Sequence, residues 1–123
     1  MPSIAIIGAS QDRNKFGNKA VRVYADKGYD VYPVHPKATE IEGHKTYASI
    51  SLIPVKELDM VSVYLPPEVG MRVIEEIAKV KAKEVWLNPG SESDELVTKA
   101  ETLGLNVIQA CSIVAVGSSP SRY

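Results

Sequence analysis

The residues of this chain that could do chemistry gather in the turns after its apolar runs. The first turn reads Gly8-Ala9-Ser10 and leads into a polar loop carrying Arg13 and Lys15 before Gly17. Small residues let backbone N–H groups approach an anion, and Ser10 adds a hydroxyl. A helix beginning near Gly17 would turn its positive end towards the same spot. That is the equipment of a phosphate cradle. The same residues suit a strand-to-helix turn that needs small side chains for packing, and the motif alone leaves both readings open. Positions 8 to 13 read G-A-S-Q-D-R, so the G-x-G-x-x-G fingerprint of dinucleotide sites is absent.

The second turn reads Val34-His35-Pro36-Lys37. An NAD site places an acidic residue there to hold the ribose diol. The cationic pair His35 and Lys37 instead suits a phosphorylated ribose, against the alternative of a solvated loop with a chance lysine. The third turn is Leu65-Pro66-Pro67 and the fourth Asn88-Pro89-Gly90. Prolines directly after strands fix the chain as walls and remove N–H donors from the rim, which suits a flat ring or an extended ligand. Pro67 taken singly reads equally well as a helix-start proline.

Catalytic groups are sparse. No His/Cys spacing suggests a metal site and no Ser–His–acid set is present. Cys111 follows the last apolar run and reads as a packing thiol rather than a nucleophile. His44 reads as a surface residue, Trp86 as core, and Glu92, Asp94 and Glu95 as partners for a helix dipole.

These turns need a scaffold. The chain has 123 residues, 45% of them apolar, enough for one domain over residues 1–123 with a single core. A net charge of −1 argues against nucleic-acid binding by whole-surface attraction. One cysteine, no secretory leader and no apolar run long enough to cross a bilayer place the expected location in the cytoplasm, with no membrane partner. The runs SIAIIG, YDVYPV, DMVSVYL, EVWLN and NVIQAC are apolar at nearly every position, the pattern of parallel strands covered on both faces. Helical periods lie between them, marked by Phe16, Ala20, Val21 and Tyr24, by Val69, Val73, Ile74, Ile77 and Ala78, and by Leu96, Ala100 and Leu103. Gly28 and Gly104 stand where left-handed caps belong, and Ser91 or Ser93 could start the third helix. Residues 38 to 58 break the rhythm and read as an irregular connection with a short strand or helical turn. The expectation is an α/β fold, a doubly wound and mainly parallel sheet with helices on both faces. The tail from about residue 117 to 123 is expected to be flexible or to contact a partner.

The ordered set IGAS, GYDVYPVHPK, TYASI, IPVKELDMVSVYLPPE, EVWLNPGSES and LGLNVIQAC, over residues 3 to 112, resembles the small CoA-binding domain proteins. Their Rossmann-like fold also forms the CoA-binding part of the succinyl-CoA synthetase α subunit and of ADP-forming acyl-CoA synthetases. The resemblance implies coenzyme A as the ligand. It sets Gly8, Ala9 and Ser10 against the pyrophosphate, with Arg13, Lys15 and Gly17 nearby. Val34, His35, Pro36 and Lys37 would face the 3′-phosphorylated ADP end, Leu65, Pro66 and Pro67 the adenine or ribose, and Asn88, Pro89 and Gly90 the pantetheine arm. Relatives often carry Gln where Asn88 stands.

The synthetases' phosphorylated histidine belongs to a further domain, so the resemblance transfers binding and not catalysis. The expected protein is a stand-alone CoA or acyl-CoA module, a sensor, or a subunit lending its site to an acyl-CoA enzyme. The alternative is a small NADP-dependent oxidoreductase or an acyl-CoA enzyme using Cys111 or His35. A homodimer is the base-rate expectation for a small domain.

Overall fold

Five parallel strands form one sheet in a computed structural model that describes residues 1–123. The sheet strands are β1 (Ser3–Ile7), β2 (Asp30–Val34), β5 (Glu57–Val63), β6 (Lys81–Leu87) and β7 (Val107–Gln109). β1 pairs with β2 on one side, Ile7 opposite Val34, and with β5 on the other, Ile7 opposite Val63. Counted within this sheet the order is 2-1-3-4-5, so the winding reverses between β1 and β5. This is a Rossmann-like α/β fold in one small domain.

Three long helices connect the strands: α1 (Phe16–Asp26), α2 (Pro67–Ala78) and α3 (Asp94–Thr102). α2 and α3 bury Ile74, Ile77, Leu96 and Ala100 against Ala5, Ile7, Val61, Val63, Val85 and Leu87 on one face of the sheet. α1 buries Ala20, Val21, Val23 and Tyr24 against Ile4, Ile6 and Met60 on the other. Alternation along each strand sends successive side chains to opposite faces, so strands apolar at every position need both helix layers. Gly28 and Gly104 end α1 and α3 with φ of 83° and 84°, a backbone region that glycine occupies without strain. Ser93 starts α3 by accepting a hydrogen bond from Leu96 N at 3.1 Å.

The irregular connection contains a two-strand antiparallel hairpin, β3 (Glu40–Ile41) with β4 (His44–Lys45), and a 3₁₀ turn at Ile50–Leu52. Tyr47 then pairs with the outer edge of β2, donating its N–H to Pro33 O and accepting from His35 N. Pro33 has no N–H to offer, and it stands on this edge strand where Tyr47 needs only its carbonyl. A fourth helix, α4 (Ser112–Ala115), follows the last strand, and the tail folds back onto α1. Lys19 Nζ donates to Pro120 O at 3.0 Å and Tyr123 Oη to Asp26 Oδ2 at 2.6 Å. No helix is long and apolar enough to cross a membrane.

Candidate functional site

The reversal between β1 and β5 opens the carboxyl end of the sheet, and two clefts lie there side by side. One, of about 340 Å³, is lined by Gly8, Lys15, Phe16, Gly17, Tyr64, Leu65, Pro66, Pro89, Gly90 and Ser91. The other, of about 280 Å³, is lined chiefly by apolar groups, with Val34, Pro36 and Ile50 on one side and Leu65, Val69 and Val73 on the other. Gly8 and Leu65 belong to both clefts. A ligand reaching from one to the other crosses the turn after β1.

That turn is shaped by close contacts. Gly8 has φ of 88°, and a Cβ there would stand 2.9 Å from Tyr64 O and 3.1 Å from a Leu65 methyl. Gly17 brings the first turn of α1 against the carbonyl of Gly8, where any side chain would overlap the backbone. Helix starts leave N–H groups without internal acceptors. Here the amides of Ala9, Ser10, Phe16 and Gly17 make no hydrogen bond within the protein, and no carboxylate occupies the first turn of α1. A cluster of unmatched amides at a helix N-terminus, with Lys15 among the residues lining the same cleft, fits a phosphate or pyrophosphate.

The loop between turn and helix is held by its own side chains. Ser10 Oγ accepts from Asp12 N, and Asp12 Oδ1 from Asn14 N. Fully buried Asn18 donates to Ser10 O at 2.9 Å and to Glu42 Oε2 at 3.1 Å, while its own oxygen accepts from Arg22 Nε. Arg13 does not reach the clefts. It pairs with Glu42 at 3.5 Å and lines a separate polar depression with Arg22, His44 and Tyr123.

At the end of β2, His35 Nδ1 accepts from the amides of Lys37 and Ala38 at 3.0 and 2.9 Å. The ring therefore carries its proton on Nε2 and acts as a clip that curls the loop. Pro36 lines the apolar cleft, and Lys37 is exposed with no ion pair. Pro67 opens α2 as its first residue, leaving Leu65 and Pro66 as the rim.

Asn88 is committed inward. It is 1% exposed, donates to Ser62 Oγ and Val63 O at 2.8 Å each, and accepts from Ser112 N at 2.9 Å. Ser112 Oγ joins Ser62 Oγ and Tyr64 Oη, and Ser112 O accepts from Tyr24 Oη at 2.6 Å. Every polar atom of this buried cluster is satisfied. Burial pushes the Tyr64 phenol up to about 12 and raises that of Tyr24 further. The network fastens the start of α4 to the ends of β5 and β6 beneath the cleft floor. Pro89 and Gly90 remain at the rim above it, with Gly90 N donating to the Glu92 carboxylate. Cys111, half-buried, packs with the α1-side core just before α4.

Of the residues singled out in the sequence, Gly8, Lys15, Gly17, Val34, Pro36, Leu65, Pro66, Pro89 and Gly90 line the two clefts. Ala9, His35 and Asn88 support them from within. Sequence reasoning missed Ile50, Tyr64, Val69, Val73 and Ser91 as lining groups, and it counted Phe16 only as a marker of the first helical period. Phe16 is 48% exposed at the mouth of the polar cleft, with Lys19 Nζ 5.5 Å from its ring centre. It opens α1 beyond the edge of the core, so the helical period that fits Ala20, Val21 and Tyr24 points it past the sheet.

A family model described as CoA binding domain matches residues 2–117. The chain belongs to this CoA binding domain family. Among its relatives is the ADP-forming acetate-CoA ligase of Methanocaldococcus jannaschii, 36% identical over 81 residues that make up 66% of this chain and 11% of the ligase. A conserved hypothetical protein from Pyrococcus furiosus shares the domain's fold with a TM-score of 0.81 at 32% identity, over 94% of this chain and 97% of its own. The dinucleotide-forming acetyl-coenzyme A synthetase 1 of Ca. Korarchaeum cryptofilum, solved with phosphate and ADP, matches with a TM-score of 0.76 at 30% identity. That match takes in 88% of this chain and 25% of the synthetase. This CoA binding domain thus spans a small part of the ligases and nearly all of the Pyrococcus furiosus protein.

Proposed function

We propose that the protein binds coenzyme A or an acyl-CoA across the two clefts, as a binding module without catalytic groups of its own. The observation that carries this reading is that the apolar and polar clefts meet at Gly8, where unmatched amides gather at the start of α1. Adenine lies in the apolar cleft, with the 3′-phosphate towards Lys37. The pyrophosphate crosses Gly8, Ala9 and Ser10 beside Lys15, and the pantetheine arm follows Phe16, Pro89 and Gly90. The likeness to ADP-forming ligases supports a module that serves an acyl-CoA enzyme, either as a separate subunit or as a sensor of the same ligand.

Calorimetry with CoA, acetyl-CoA, 3′-dephospho-CoA, NADP and NAD tests the reading. CoA or acetyl-CoA should bind most tightly, and removal of the 3′-phosphate should weaken binding. Tighter binding of NADP than of CoA overturns the proposal in favour of a nicotinamide-dependent reductase.

A further inference from the structure

One acidic residue stands among the groups that line the apolar cleft. The face of α2 that lines it presents Val69, Val73, Glu76 and Ile77, and across from it stand Val34, Pro36 and Ile50. The spacing 69, 73, 76, 77 is one helical stripe, so Glu76 faces the same space as its apolar neighbours. Glu76 is half-buried and makes neither an ion pair nor a side-chain hydrogen bond. Two other acids of its surroundings are occupied differently: Glu75 on the same helix pairs with Lys99, and Glu68 sits at the helix start.

A flat ring sliding between Val34 and Val73 would strip water from this carboxylate. A buried carboxylate without a donor is costly, so a ring that binds there must bring N–H groups of its own. An ionised carboxylate only accepts, which excludes ring edges that offer acceptors alone. We propose that Glu76 accepts a hydrogen bond from the exocyclic amine of the adenine and so selects the base. This rests on the coenzyme A reading above and deepens it: the glycine turn holds the phosphates, whichever base they carry, and Glu76 distinguishes the base. The apolar walls supply affinity for any flat ring; the carboxylate supplies the difference between rings with and without an amine at that edge.

The test is a cycle between ligand and protein, read by calorimetry. CoA is compared with an analogue carrying unsubstituted purine in place of adenine, on the wild-type protein, Glu76→Ala and Glu76→Gln, with thermal unfolding confirming that each variant folds. The wild type should bind CoA about tenfold or more tightly than the purine analogue, the discrimination expected of one charge-assisted hydrogen bond. Glu76→Ala should bind both ligands alike, and Glu76→Gln, which keeps an acceptor oxygen, should retain part of the preference. An equal purine penalty in wild type and Glu76→Ala overturns the assignment of Glu76 while leaving CoA binding intact. Failure of all three proteins to bind CoA overturns both this inference and the reading beneath it.

Discussion

The Cα of Gly17 faces the carbonyl oxygen of Gly8 with no room for a side chain between them. This contact sets the start of α1 directly on the turn after β1, so the free amides of both elements converge on one place. The helix would not otherwise approach the sheet end so closely.

Gly17→Ala therefore sets two effects against each other. Alanine favours an isolated helix by about 1 kcal/mol over glycine, whereas overpacking costs about 1–3 kcal/mol. The obstructing atoms are backbone and cannot rotate away, so the clash should win. A lower urea midpoint is expected together with weaker CoA binding by calorimetry, because the amides of Ala9 and Phe16 move apart.

Asn88→Ala should act on stability. The side chain joins β5, β6 and α4 through buried bonds, and its loss strands Ser112 N and takes one partner each from Val63 O and Ser62 Oγ. Unfolding experiments should show a loss of about 2–4 kcal/mol. Unchanged stability with weakened CoA binding would instead make Asn88 a ligand contact.

Lys37→Ala should leave stability within about 0.5 kcal/mol, since the side chain is exposed and unpaired. It should weaken CoA by about 1–3 kcal/mol, the worth of a hydrogen bond to a charged group, and leave 3′-dephospho-CoA unaffected. Equal weakening of both ligands would move Lys37 away from the 3′-phosphate.

Alkaline conditions should destabilise the fold through the tyrosines under the cleft. Burial raises Tyr64 from 10.0 to about 12, so the folded protein keeps a proton that the unfolded chain gives up. The sign follows directly: the stabilising contribution is complete below about pH 10 and is lost as the pH rises towards 12. Denaturant unfolding across this range should show the decline, and Tyr64→Phe should flatten it in part, the remainder belonging to Tyr24.

Much of the lining of the two clefts was legible because clefts of a doubly wound sheet open at its strand ends, and the apolar runs mark those ends. Gly8, Lys15, Gly17, Pro36 and Leu65 could be named from position alone. Asn88 could not be understood in the same way. Its place after a strand resembles that of a rim residue, but whether a polar side chain at such a point turns outward or inward depends on partners far along the chain, here Ser62 and Ser112. Arg13 likewise has the right charge and the right loop, and Glu42, from a hairpin the sequence rendered only as irregular, draws it elsewhere.

The sequence by itself determined the class of fold, the five strands, the three long helices, the glycine ends of the first and third, and the family resemblance, because these follow from local periods, turn residues and the order of motifs. Tertiary structure alone decided which strands are neighbours, that the winding reverses between β1 and β5, and that two clefts meet at Gly8. It also placed Phe16 at the mouth and Glu76 in the apolar wall. Periodicity tells which residues share a face, but what that face meets is set by contacts between segments distant in sequence. The two clefts are made almost wholly of such contacts.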